Sequence, residues 1–212
     1  IEIGVSLTML AIQKNRSFEN PDFVNALLNF AFFTDGQASH TAFTEGTKWN
    51  GTYAYIEKLS NFAKEHGISY SPNHLFYGWG HFDKWSPIQS LVTASKDEIE
   101  KWMLERAKKF FAIPYFTEIN FANEAIITDW RTNSPRWATE QELSPFYHAF
   151  GKDWVEKAYQ ITWDEAVKTG RQVSKDLRLV YNSAGIDTET QQANFEFEYL
   201  KGLKDKLSTE FG

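Results

Sequence analysis

The pattern of apolar and polar residues divides the chain into strand-like and helix-like segments, which follow one another in turn. Short apolar runs predict five buried strands, over residues 1–7, 31–38, 68–77, 113–122 and 177–182. Apolar side chains three or four positions apart predict a helix after each strand, over residues 21–30, 51–66, 95–110, about 145–169 and 189–207. The chain is therefore organised as five strand–helix units.

Local signals mark where several of these helices begin and end. Ser95-Lys96-Asp97-Glu98 matches a capping box, in which side chains bond the free amides of the first helical turn. Gly67 and Gly170 follow the last apolar positions of two other helices, where a left-handed residue commonly ends the helix.

The alternation of strands and helices predicts a parallel sheet with right-handed crossovers. The longest predicted loops follow strands, over residues 37–50, 78–94 and 123–144, and barrel enzymes carry their sites on such loops. A doubly wound dinucleotide-binding sheet is the competing architecture, but no G-x-G-x-x-G follows the first strand. We therefore predict an α/β fold of the parallel (β/α) TIM-barrel type, with residues 1–212 forming one partial domain.

Five units fall short of the eight that close such a barrel. An open piece would expose strand edges beside Ile3 and Val180 together with part of its interior. The chain also begins at Ile1 rather than Met. We therefore expect a longer or processed polypeptide, or a second chain, to cover these edges and complete the barrel.

Composition narrows the range of functions. Aromatic residues make up 17% of the chain, and although most should fill the core, aromatic faces also stack on sugar rings. The net charge of −6 argues against a nucleic-acid partner, and no apolar run is long enough to span a membrane. The chain has no cysteine, and its histidines show no metal-ligand spacing, so we expect no metal or other cofactor.

The stretch from residue 116 to 126 carries the clearest chemical signal. An apolar strand delivers Asn123 and Glu124 to its C-terminal end. A carboxyl group at this position can protonate a glycosidic oxygen if its surroundings keep it protonated near neutral pH. The neighbouring amide can hydrogen-bond a sugar hydroxyl.

Here the sequence resembles glycoside hydrolase family 10, the endo-1,4-β-xylanases. Residues 119–124 are similar to the family's W-D-V-V-N-E, 62–67 to F-A-x-x-H-G, and 151–158 to G-x-D-Y-I-x-x-A-F. Further similar segments follow in the family's order: Gly4 on strand one, Thr47-Lys48-Trp49, residues 73–76, Trp85, and residues 179–185. The resemblance extends over nearly the whole chain.

The resemblance implies a role for each matching residue. Glu124 would be the catalytic acid/base, and Asn123 would bind the sugar beside it. The other substrate-binding residues would be Lys48, His74, Trp79, Trp85 and Asn182. It further implies a polysaccharide or oligosaccharide substrate, retaining cleavage of a β-1,4 linkage, and a secreted, extracellular protein.

Several positions depart from the family pattern. The family's Glu and Asn before Met-Lys-Trp fall on Gly46 and Glu45, and its second strand-three His falls on Trp79, with His81 nearby. The family's Asp-Tyr-Asn after strand five reads Ser183-Ala184-Gly185. The nucleophile, a Glu on strand seven, would lie beyond Gly212.

Three alternatives to a xylanase follow from these departures. A different β-glycan could be the substrate, because other glycosidases of the same barrel clan also place Asn-Glu after strand four. The chain could be a non-catalytic glycan-binding or structural module, because a sugar site stripped of polar partners discriminates poorly. It could also be an interaction protein whose open edge is completed by a second chain.

Overall fold

The computed structural model describes residues 4–6, 20–35, 53–77, 91–129, 131–138, 144–183 and 191–211. The strands are β1 (Gly4–Ser6), β2 (Phe32–Thr34), β3 (Ser69–Ser71), β4 (Phe76–Tyr77), β5 (Glu118–Asn123), β6 (Ile126–Asp129), β7 (Ser134–Trp137) and β8 (Arg178–Asn182). The α-helices are α1 (Pro21–Leu27), α2 (Ala54–His66), α3 (Lys96–Phe111), α4 (Pro145–Phe150), α5 (Trp154–Lys168) and α6 (Gln191–Phe211), with a 3-10 turn over Gly151–Asp153.

The strands of the five units are parallel and lie side by side in chain order. One sheet has the order β1-β2-β3 and a second has the order β4-β5-β8. The segment containing β3 and β4 joins the two sheets along β5, because the Thr117 amide donates to the Tyr70 carbonyl at 3.0 Å and the Leu75 amide donates to the Asn120 carbonyl at 2.8 Å. The predicted partial (β/α) barrel is confirmed.

The third strand is interrupted, whereas residues 68–77 were expected to form one continuous strand. His74 has a φ of 65°, a left-handed backbone conformation that no extended strand can contain. The strand therefore ends at Ser71 and resumes at Phe76.

Local side-chain signals account for the helix ends. The hydroxyl of Ser95 accepts a hydrogen bond from the Glu98 amide while the Glu98 carboxylate accepts one from the Ser95 amide, so the predicted capping box is present. Asn20 caps α1, and Gly67 ends α2 with a φ of 67°.

The region expected to be a loop over residues 123–144 contains an antiparallel hairpin. Strands β6 and β7 pair Ile126 with Trp137 and Asp129 with Ser134, across a turn in which Asn133 has a φ of 53°. Four-residue strands carry little periodicity, and Pro135 weakened the strand signal further.

The helix expected over residues 145–169 is in fact two helices. Gly151 has a φ of 59° and a ψ of −138°, which ends α4 before the 3-10 turn and α5 begin. This conformation is almost exclusive to glycine and explains why the helix ends here. The break was not expected, because helical apolar spacing continues on both sides of Gly151.

The last five residues of β5 are buried in the core. Phe146 meets the Phe76 ring edge to face at a centroid distance of 5.8 Å and stacks on Trp154 at 5.4 Å. Strand β8 pairs with β5 on one side and has no strand partner on its other side among the described residues. In the described part of the chain, no helix is long and apolar enough to cross a membrane.

Two glycines provide a test of backbone strain with opposite expected signs. An added methyl group meets no atom within 4 Å at either Gly151 or Gly202, so only backbone conformation distinguishes them. Gly151→Ala should destabilise the protein by about 1–3 kcal/mol because its φ is unfavourable for alanine. Gly202→Ala, inside α6, should stabilise it by about 0.5–1 kcal/mol. Urea unfolding of both variants gives the free energies, and equal signs would contradict this explanation.

Candidate active site

The carboxyl ends of β4, β5 and β8 meet in register. Tyr77 pairs with Asn123, and Asn123 pairs with Asn182. The Glu124 amide then donates to the Asn182 carbonyl at 2.8 Å, which extends the pairing one residue beyond β5. Three neighbouring strands thus end at one level, with Glu124 at the end of the middle one.

Glu124 is held in a defined orientation. Its φ of 50° turns the chain at the end of β5, and its half-buried carboxylate accepts a hydrogen bond of 2.8 Å from the Tyr77 hydroxyl. Burial raises the pKa of Tyr77, and the charge and hydrogen bond of Glu124 raise it further. Tyr77 is therefore a permanent donor, and it anchors one oxygen of the Glu124 carboxylate.

Asn123 and Asn182 form an amide pair at this end of the sheet. The Asn182 amide nitrogen donates to the Asn123 side-chain oxygen. Asn123 is 1% exposed, whereas Asn182 is exposed to solvent. The pair brings together two residues that the sequence indicated as substrate-binding, with Asn182 the more accessible.

His74 lies beside the same strand ends. Its ring stacks on Tyr77 with centroids 5.3 Å apart, and its Nδ1 lies 3.4 Å from the Asn120 side chain. Because Tyr77 also bonds Glu124, His74 belongs to the group of side chains that surrounds the carboxylate.

Arg106 fixes the strained backbone at His74 from behind. Its side chain is fully buried, with Nε donating to the Leu75 carbonyl at 2.6 Å and Nη2 to the His74 carbonyl at 3.1 Å. The guanidinium also lies 4.8 Å from the centre of the Phe110 ring. A charged group from α3 thereby holds the break in the third strand.

Sequence reasoning missed three polar residues that build the site. The sequence placed Tyr77 only at the end of a strand. Arg106 lies on the buried stripe of α3 between Met103 and Phe110, and an arginine at such a position indicates hydrogen bonds to other buried groups. Asp35, fully buried after β2, accepts hydrogen bonds from the Tyr70 hydroxyl at 2.8 Å and the Asn73 amide at 3.2 Å.

Ser183, one of the departures noted above, is buried, and its hydroxyl donates to the Glu196 carboxylate at 2.7 Å. The other predicted substrate-binding residues, Lys48, Trp79 and Trp85, lie outside the described residues. The same is true of Glu45, Gly46 and His81, which were named with the departures from the family pattern. Within the described residues, no group of three or more histidine or acidic side chains could hold a metal ion.

Comparison with known proteins supports the fold through structure alone. No protein-family model and no curated protein matches the sequence. Among solved structures, an endo-1,4-β-xylanase of Penicillium canescens superposes with a TM-score of 0.72 at 16% identity, covering 96% of this chain and 56% of that one. Xylanase 10B of Thermotoga maritima gives 0.72 at 17% identity, covering 97% and 57%. Xylanase 10B of Thermotoga petrophila, solved with xylobiose, gives 0.70 at 18% identity, also covering 97% and 57%.

These likenesses show that the chain has the fold of glycoside hydrolase family 10 xylanases over part of the barrel. The chain spans between 39% and 60% of the length of such solved structures. The predicted fold resemblance is confirmed, and the roles of individual residues stay predictions.

Replacement of Arg106 should reveal how much the site backbone depends on it. Arg106→Met leaves two buried carbonyls without their donor, and each unsatisfied group costs ~1–3 kcal/mol. We therefore expect the free energy of unfolding to fall by at least about 2 kcal/mol. Arg178→Met is the control, since that side chain is 60% exposed in its 3.1 Å ion pair with Glu118, and it should cost less than about 1 kcal/mol. Urea unfolding measures both, and similar losses would refute the bracing role.

Proposed function

We propose that this chain is part of a glycoside hydrolase that cleaves a β-1,4-linked glycan, with Glu124 as the catalytic acid/base. The observation that carries the proposal is the half-buried Glu124 carboxylate at the carboxyl end of β5, anchored by the Tyr77 hydroxyl at 2.8 Å. This is the rim at which (β/α) barrels place their active sites. The fold shared with xylanases supports the assignment to a glycosidase.

The proposed reaction needs a proton donor and a second carboxylate. Glu124 would protonate the glycosidic oxygen as the bond breaks and later deprotonate the water that releases the sugar. In retaining cleavage the nucleophilic carboxylate stands ~5–5.5 Å from the acid. Following the family resemblance, we assign the nucleophile to polypeptide beyond Gly212, which would also pair with β8 on the side away from β5.

The remaining roles follow the same resemblance. Asn182 presents an exposed amide next to Glu124, and His74 lies beside Tyr77, so both would contact the sugar at the scissile bond. Lys48, Trp79 and Trp85 would complete the substrate site. We propose xylan as the first substrate to test, and action on such a polymer implies an extracellular location.

A non-catalytic glycan-binding module is the second candidate. The Ser183 hydroxyl is already bonded to Glu196, and the Asn123 oxygen is already bonded to Asn182. Fewer polar groups are then left to grip a sugar through hydrogen bonds. In this case the affinity would come from aromatic stacking on Trp79 or Trp85.

Glu124→Gln tests the acid/base role in the complete protein. The substitution keeps size and polarity but removes the transferable proton, so hydrolysis of xylan should fall by ~10²–10⁴-fold while folding and affinity stay nearly unchanged. Glu65→Gln, on an exposed position of α2, is the matched control and should hydrolyse normally. Reducing-sugar release and binding are measured together, and equal hydrolysis by Glu124→Gln and the unmodified protein would rule out the role.

Glu124→Ala adds a chemical test of the same assignment. On substrates with good leaving groups, a small anion such as azide should restore part of the turnover by attacking the glycosyl intermediate. Absence of hydrolysis by the unmodified complete protein on every β-1,4-glycan tested would instead favour the binding module. That module predicts a glycan affinity more sensitive to Trp79→Ala or Trp85→Ala than to Glu124→Ala.

Tyr77→Phe tests whether the hydroxyl anchors the catalytic carboxylate. The variant keeps the ring that stacks on His74 but removes the hydroxyl that bonds the Glu124 carboxylate. Without this bond, the carboxylate is no longer held in one orientation towards a substrate. The turnover number should fall by roughly tenfold, the effect of one lost hydrogen bond to a charged group. An unchanged turnover number would exclude the anchoring role.

A further inference from the structure

Helix α6 places a carboxyl group behind the turn that carries Glu124. Glu196 is 1% exposed, and its Oε1 accepts hydrogen bonds from the Ser183 hydroxyl at 2.7 Å and the Gln192 amide at 2.8 Å. Its Oε2 is also buried and has no hydrogen-bond partner among the described residues. A buried carboxylate with one bare oxygen costs more free energy than a neutral, protonated carboxyl group in the same place.

The two partners of Glu196 connect it to both sides of the Glu124 turn. Gln192 donates to the Ile126 carbonyl at 3.2 Å and accepts from the Thr128 hydroxyl at 2.6 Å, so it holds the start of the hairpin that follows Glu124. Ser183 directly follows Asn182, whose carbonyl receives the Glu124 amide at 2.8 Å. One carboxyl group is therefore connected both to the hairpin that follows the proposed acid/base and to the neighbouring strand β8, which bonds the Glu124 amide.

Charge near Glu196 also favours its neutral form. Burial raises the pKa of Glu196, the hydrogen bonds from Ser183 and Gln192 oppose this, and the charge of Glu124 raises it further. On β8, the buried Tyr181 hydroxyl makes no hydrogen bond of standard geometry among the described residues. Burial and the charge of Glu196 raise its pKa, and the nearby polar groups of Ser183, Ala125 and Ile126 oppose this. From β6, the group that reaches this network is the uncharged Thr128 hydroxyl. Glu124 and Tyr181 are thus the titratable neighbours; the raised pKa of Tyr181 keeps it neutral, and the charge of Glu124 favours a neutral Glu196.

We propose that Glu196 is a positioning residue that holds the Glu124 turn in place while it carries a proton, and that its ionisation weakens this hold. The inference deepens the proposed function, because it gives the glycosidase site a second titrating group that never touches the substrate. The proton belongs on Oε2, while Oε1 keeps its bonds to Ser183 and Gln192.

The titration of Glu196 can be followed without any enzymatic activity. Carbon-13 NMR of the side-chain carboxyl groups, assigned with Glu196→Gln, should show a midpoint above the ordinary value for glutamate. A midpoint at or below the ordinary value would overturn the proposal. Glu198→Gln, at an exposed position two residues along α6, is the control and should leave this resonance unchanged.

Stability should depend on pH with a definite sign. The folded pKa of Glu196 lies above the unfolded one, so its stabilising contribution is complete below the unfolded value and is lost as pH rises through the folded value. Glu196→Gln cannot ionise and escapes this loss. The melting temperature of Glu196→Gln should therefore rise relative to that of the unmodified protein as pH increases. A difference between the two that does not change with pH would contradict the proposal.

Two further readouts separate positioning from a merely structural role. Glu196→Ala removes the acceptor of both Ser183 and Gln192, so amide hydrogen exchange across Ile126–Asp129 should accelerate by roughly tenfold or more. In hydrolysis assays on the complete protein, Glu196→Gln should keep its turnover at acidic pH and extend it to higher pH, with little change in KM. Ser183→Ala replaces Glu196→Ala if that variant does not fold, and should speed the same amides.

The outcomes distinguish this inference from the proposed function. If no form of the protein hydrolyses any glycan, the glycosidase assignment fails, while NMR titration and hydrogen exchange still decide whether Glu196 holds the turn. The other outcome is that hydrolysis is present, with the same pH profile and the same amide hydrogen exchange across Ile126–Asp129 in Glu196→Gln, Glu196→Ala and the unmodified protein. In that case Glu196 has no positioning role.

Discussion

Strand β5 runs between β4 and β8, and its register sets Asn123 opposite both Tyr77 and Asn182. Parallel strands that pair in register end at the same level, so the side chains at their carboxyl ends must come together. The bond from the Glu124 amide to the Asn182 carbonyl carries that register one residue past the strand. A slip of one residue would turn every side chain of β5 to the opposite face and separate Glu124 from Tyr77.

Buried polar groups stabilise the unusual backbone conformations at these strand ends. His74 and Glu124 both have positive φ values, which cost about 1–2 kcal/mol each and persist only where surrounding contacts enforce them. Arg106 bonds the carbonyl of His74, and Glu196 acts through Gln192 and Ser183 on both sides of Glu124. The site is thus shaped from behind by groups that no ligand would touch. A buried polar network of this kind favours one arrangement of the backbone over others.

The aromatic content serves packing and chemistry in different places. Rings such as Phe33 and Tyr70, with centroids 5.0 Å apart, fill the space between the strands and the surrounding helices. Tyr77 has both roles, since its ring stacks on His74 while its hydroxyl orients Glu124. An amphipathic aromatic side chain can do this because its apolar body and polar end face different surroundings.

Local patterns in the sequence determined the order of strands and helices, the capping box at Ser95, the end of α2 at Gly67 and the placement of Glu124 after a buried strand. Each of these features is encoded by residues close together in the chain, so periodicity and capping signals reveal it. Tertiary structure alone decided the break at His74, which depends on contacts with Arg106, more than thirty positions away. It also decided the proton-favouring surroundings of Glu196, because desolvation and charge at a buried group depend on every element packed around it.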